Sequence, residues 1–156
     1  MTLSFTQKEK MLLEDQKTHE QVCIDKYNNY ASQTQDPQLK TLFQDYAAQE
    51  QHHLDSINQM LNGQLPAMNQ GNQSSQQQSA AKASKMQGAM GNQSDAALCN
   101  DMLMTEKYVS DAYNTAIFEF VDTNARQVLN HIQKEEQQHG EGLFNYMQSQ
   151  GMYNPQ

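Results

Sequence analysis

Apolar residues recur at steps of three and four along four stretches of the chain, and on each stripe a polar residue interrupts the run. The first stripe is Leu13, Gln16, Glu20, Cys23, Tyr27, Tyr30, which predicts a helix over about residues 6–32. Thr6 followed by Glu9 reads as a capping box that opens it. The second stripe is Leu39, Phe43, Tyr46, Glu50, His53, Ile57, Met60, a helix over 37–61. Asp36 suits its N-cap, Pro37 its first position, and Gly63 its stop. The third is Cys99, Met102, Glu106, Val109, Tyr113, Ala116, Phe120, predicting a helix over 95–120 capped by Ser94 or Asp95. The fourth is Ala125, Leu129, Ile132, Glu136, His139, Leu143, Tyr146, predicting a helix over 123–150.

Two of the three connections are short, so the helices form two hairpins. Between them, residues 64–93 are rich in Gln, Ser, Asn, Gly, Ala and Met and have no helical period. They read as a long, partly mobile connection with a short helix around residues 79–86. Extended, such a segment spans roughly 100 Å, well beyond the ~40 Å length of the helices it must pass. No stretch has strand periodicity. The chain is expected to be a single all-α domain over 1–156: a four-helix bundle of two helical hairpins joined by a long crossover connection.

The interruptions of the stripes carry the chemistry. A carboxylate facing a core costs several kcal/mol unless it is paired, protonated or bound to a metal. Here each helix contributes one: Glu20, Glu50, Glu106 and Glu136. His53 and His139 follow their glutamates at i+3, on the same helix face. Glu20 and Glu50 are equidistant from the first turn, as are Glu106 and Glu136 from the second, so each pair is level at about 22 Å from its turn. Four carboxylates and two imidazoles at one height suit two divalent cations. Hard oxygen ligands with one imidazole per ion favour iron or manganese, and zinc also fits the ligand types. Tyr27 and Tyr113 lie two turns beyond Glu20 and Glu106. Each reads either as a core aromatic or as a hydroxyl bonded to a ligand carboxylate. His19, His52, His131, Glu14, Glu135 and Glu141 flank the stripes and read as rim or surface groups.

The site positions repeat at an offset of 86 residues. Asp15, Glu20, Asp25, Tyr27, Asn28, Asp36, Glu50, Gln51 and His53 all recur at that spacing. An old duplication of one hairpin would produce this pattern and a pseudo-two-fold axis through the site.

Bulk properties narrow the partners. The net charge is −8 with only ten Lys and Arg among 156 residues, and no basic stripe, which argues against nucleic acid. No run approaches the roughly 18 apolar residues of a membrane span, and the first ten residues lack the apolar core of a signal peptide. Cys23 and Cys99 fall on core positions and read as buried, reduced thiols, which fits synthesis in the cytoplasm. Abundant amides suit self-association, and a homodimer is expected.

Glu20, Glu50-x-x-His53, Glu106 and Glu136-x-x-His139 resemble the ferritin-like superfamily in order and helix assignment. The run KMLLEDQKTHEQVCIDKY, the segment DPQLKTLFQDYAAQEQHHLDSINQMLNG and the Gln- and Met-rich middle are similar to the spore coat F family of endospore-forming bacteria. That resemblance implies a protein made in sporulating cells and deposited in the spore coat among other coat proteins. It does not by itself imply an enzyme. Rubredoxin-type cysteine pairs are lacking, so a rubrerythrin electron path is not expected. Gly140 and Gly142 depart from better-known di-iron proteins and are expected to loosen the fourth helix.

Two functions stay open at this point. In one, Glu20 and Glu106 each hold one ion, Glu50 and Glu136 bridge, and His53 and His139 complete one ion each; the centre oxidises iron or consumes peroxide or dioxygen. In the other, the chain is a structural coat or assembly protein whose metal site only stabilises the bundle or is vestigial.

Overall fold

The computed structural model describes residues 2–68 and 89–153, with backbone alone for 89–94. It contains four helices in order: α1 (Gln7–Gln33), α2 (Pro37–Leu61), α3 (Ala89–Glu119) and α4 (Thr123–Ser149). No strand occurs among the described residues. The short helix expected around 79–86 lies outside them.

The caps explain most of the boundaries. Thr6 Oγ1 accepts from the Glu9 amide, and Glu9 Oε2 accepts from the Thr6 amide at 2.7 Å, closing the capping box of α1. Asp36 and Asp122, equivalent in the repeat, are the N-caps of α2 and α4. Gly63 ends α2 with a φ of 77°, a left-handed value that favours glycine. There its carbonyl accepts from the Leu3 amide at 2.8 Å.

The third helix begins at Ala89 rather than at 95. Asp95 is therefore inside the helix and does not cap it. Its carboxylate is used across the bundle instead, accepting from Thr34 Oγ1 at 2.8 Å and from the Gln35 amide. Glu9, its equivalent at the offset of 86, accepts from the Val121 amide at 2.8 Å. Gln35 and Val121 are themselves equivalent. Each hairpin thus offers a buried acid to the turn of the other, and the repeat reaches further than the identical residues show.

Helix α1 packs on α2 and α3, and α4 packs on α3 and α2. Neighbours are antiparallel throughout: Glu9 lies at Val121 and Thr34 at Asp95, at opposite ends of the α1–α3 pair. Consequently α2 and α3 run the same way, and the connection between them begins and ends at opposite ends of the bundle. The core has two apolar clusters. One contains Leu13, Ile57, Val109, Leu129 and Ile132; the other contains Leu39, Phe43, Met102, Leu143 and Met147. On every helix the stripe glutamate falls between residues of the two clusters. The carboxylates therefore form a polar layer sealed by hydrocarbon on both sides. Tyr30 and Tyr46, expected on the stripes, are only half-buried; Ala31 and Ala47 take the buried positions beside them.

Candidate metal centre

The structure brings all six candidate ligands together. Glu20, Glu50, His53, Glu106, Glu136 and His139 are each between 0 and 2% exposed. Two overlapping groups of four form: Glu20, Glu50, His53, Glu136, and Glu50, Glu106, Glu136, His139. Within each group the ligand atoms lie within 4.8 Å of one another. Glu50 and Glu136 belong to both.

The orientation of Glu50 and Glu136 follows from their place between the two histidines. Glu50 turns Oε2 to His53 Nδ1 at 3.0 Å and Oε1 to His139 Nδ1 at 3.2 Å. Glu136 turns Oε1 to His53 Nδ1 at 3.2 Å and Oε2 towards His139 Nδ1 at 3.7 Å. Each offers one oxygen to each half, as a bridging carboxylate must. Glu20 and Glu106 belong to one half each, with Oε2 of Glu20 3.7 Å from His53 Nδ1 and Oε1 of Glu106 3.5 Å from His139 Nδ1. The two imidazoles face each other with centroids 5.8 Å apart.

Tyr27 donates its hydroxyl to Glu106, and Tyr113 donates to Glu20. Both tyrosines are fully buried core aromatics, and each hydroxyl's partner lies on the other hairpin. One oxygen on each of Glu20, Glu106 and Glu136 is buried without any hydrogen-bond partner. Such atoms are costly unless something positive meets them. Three orphaned oxygens in one layer, beside two inward-facing imidazole nitrogens, fit the donor set of a di-metal carboxylate site.

The electrostatics point the same way. Burial pushes the Glu20 carboxyl up to about 8, against the opposing pull of the His53 ring nearby. Burial, reinforced by Glu106 alongside, raises Glu136 well above the usual carboxylate range. Burial also acts to raise Glu50, but hydrogen bonds from His139 and His53 outweigh it and hold Glu50 well below that range. Around His53 and His139 burial opposes the charged form, yet the surrounding carboxylates prevail and hold both imidazoles well above their ordinary value. With no metal bound, these shifts favour protons on Glu20, Glu136 and both imidazoles, which lowers the negative charge of the layer. Cys23 lies close by; burial and the four glutamates push its thiol up, so it stays protonated.

Three residues outside the expected set belong to this centre. Glu135, read from the sequence as a surface charge, instead accepts at 2.6 Å from His53 Nε2 on the ring edge turned away from the layer. Gln49 offers its Oε1 to His139 Nε2. Tyr46 stacks on His139 with centroids 4.3 Å apart. Gly142 does not break α4, which continues to Ser149. It makes room for Tyr46: a Cβ there would lie 1.8 Å from the Tyr46 hydroxyl oxygen. The sequence signal for the pair Gln49 and Glu135 was the same offset of 86 that marked the ligands.

Residues 94–156 match the family described as the Coat F domain. No curated protein matches the chain in sequence. Among solved structures, a two-domain protein from Anabaena variabilis with DJ-1/ThiJ/PfpI-like and ferritin-like domains is similar, with a TM-score of 0.71 and 14% identity over 98% of this chain. The chain spans 40% of that protein's length. A conserved hypothetical protein from Mycobacterium tuberculosis is similar with a TM-score of 0.63 and 18% identity, over 92% of this chain and 99% of its own. The fold is the ferritin-like bundle. The family match falls on the second hairpin, whereas the quoted runs that suggested it lie in the first.

Proposed function

We infer that this chain, whose residues 94–156 match the Coat F domain, is a ferritin-like spore coat protein whose central layer holds two iron or manganese ions. The observation that carries this reading is the set of three buried, unpartnered carboxylate oxygens in the one layer that also holds two imidazoles. In a layer built only for stability those oxygens would have been paired or replaced by hydrocarbon.

Glu50 and Glu136, common to both groups, would be shared between the two ions, Glu20 with His53 would complete the holding of one and Glu106 with His139 of the other. Zinc fits the same atoms as a substitute. When bound, such ions supply redox chemistry towards ferrous iron, peroxide or dioxygen. The chain's own residues do the rest. The tyrosine hydroxyls hold Glu20 and Glu106 from across the bundle, and burial keeps both tyrosines protonated. The apolar clusters exclude bulk water on both sides. Protons held by Glu20, Glu136 and the imidazoles leave as the ions enter, so loading strengthens as pH rises.

Self-association as a homodimer and contact with other coat proteins belong to the same reading. Exposed Phe118, Val121, Tyr108 and Met104 support it.

The test is elemental analysis of the protein reconstituted with ferrous or manganous ion, followed by addition of peroxide. Two ions per chain with rapid oxidation supports a catalytic centre. Two ions that stay inert supports a metal that only stabilises the coat protein. No bound ion overturns the metal reading.

A further inference from the structure

The pseudo-two-fold symmetry of the site fails at one pair of positions. Glu135 stands behind His53, and its equivalent in the repeat, Gln49, stands behind His139. Both accept from the outer ring nitrogen, but one acceptor is a carboxylate and the other an amide. Glu135 is also held from outside, with His131 Nε2 3.2 Å from its Oε1; the residue equivalent to His131 is Asp45, an acid. A second difference lies on the ring faces: Tyr46 stacks on His139, and its equivalent is Ile132.

A carboxylate accepting from an imidazole N–H makes the opposite nitrogen more electron-rich and fixes the ring more firmly than a neutral amide does. It also places a negative charge directly behind His53, where His139 has a neutral amide. The ligand types are otherwise the same in both halves: Glu50 and Glu136 shared, plus one glutamate and one histidine each. We propose that the two ion sites are unequal, the Glu20–His53 half binding the tighter ion and filling first, with Glu135 as the residue that sets the order. The inequality makes the Glu106–His139 half the exchangeable position, where an ion can be lost or replaced while its neighbour stays.

This proposal rests on the metal reading above, and one calorimetric titration with manganous ion separates the two. Wild type, E135Q and Q49E are titrated after chelation, with circular dichroism to verify that each is folded. Wild type is expected to bind in two steps that differ in affinity. E135Q should weaken the first step by roughly ten- to a hundredfold and leave the second nearly unchanged. Q49E should tighten the second towards the first, a gain that disturbed packing would not produce. E20Q should remove the tight step and E106Q the weak one, which assigns the halves. Two equal steps in wild type, or an E135Q change that falls equally on both, overturns the inequality while leaving the metal site standing. Absence of binding in wild type overturns both.

Discussion

Tyr27 on α1 donates its hydroxyl hydrogen bond to Glu106 on α3, not to Glu20 on its own helix. Its equivalent, Tyr113 on α3, returns the same bond to Glu20 on α1. The two bonds cross the pseudo-two-fold axis and tie the hairpins together through the site. Removing one leaves a fully buried carboxylate oxygen without its donor. Y27F and Y113F should each lower the stability of the metal-free protein by about 1–3 kcal/mol. Urea denaturation in the presence of a chelator measures this; unchanged midpoints for both would contradict it.

The bridging position separates stability from metal binding. Glu136 has one unpartnered oxygen and is pushed upward by burial and by Glu106. An amide at 136 keeps an oxygen for His53 and can donate to Glu106. E136Q should therefore stabilise the metal-free protein at alkaline pH, where the native glutamate must ionise in the buried layer, by roughly 1–3 kcal/mol. It should also abolish the rise in melting temperature produced by added manganous or ferrous ion. A variant less stable without metal and still stabilised by it would contradict both halves of this expectation.

The pH dependence has a definite sign. Glu20 is raised from 4.5 to about 8, so its contribution is whole below about pH 4.5 and is lost as pH rises through about 8. His53 and His139 are raised above 6.5, and what they contribute is likewise present below that value and lost upward through their folded values. Glu50 is lowered and acts in the opposite sense, but only below 4.5. The metal-free melting temperature should fall between about pH 5 and about pH 9. With saturating manganous ion the dependence should flatten or reverse, because metal replaces those protons. Scanning calorimetry with and without chelator reads both curves; a metal-free curve that rises over this range would contradict the assignment.

Gly142 offers a test of packing around His139. In an open helix, Gly to Ala gains up to about 1 kcal/mol. Here the added Cβ would lie 1.8 Å from the Tyr46 hydroxyl oxygen, so Tyr46 must leave its stack on His139. G142A should destabilise by roughly 1–3 kcal/mol, and Y46F should recover part of that loss in the double variant. Thermal denaturation of the four-member cycle decides it. Additive effects would show that the two positions do not share the slot.

The layer itself was legible in the sequence because its signals are local. Glu20, Glu50, Glu106 and Glu136 stand on stripes that a 3.6-residue period fixes, and the turn midpoints put them at one height. What escaped depends on how helices face each other. Glu135 lies one position beside Glu136, on a flank that reads as surface until the rotation of α4 against α2 brings it to His53. Gly142 looks like a helix defect until Tyr46 arrives from α2. The start of α3 was misplaced because residues 89–94 carry no apolar stripe, and Asp95 resembles an N-cap while serving the opposite hairpin. The repeat held the missing information at positions 9 with 95 and 49 with 135, where the residues differ but the roles correspond.

The most direct measurement is anomalous diffraction at the manganese edge from crystals grown with manganous ion. We expect two peaks inside the bundle, each touching one oxygen of Glu50 and one of Glu136, with His53 Nδ1 on the first and His139 Nδ1 on the second. An empty layer at saturating ion, with Glu50 and Glu136 still buried and paired only to the imidazoles, would mean that protons alone neutralise these carboxylates.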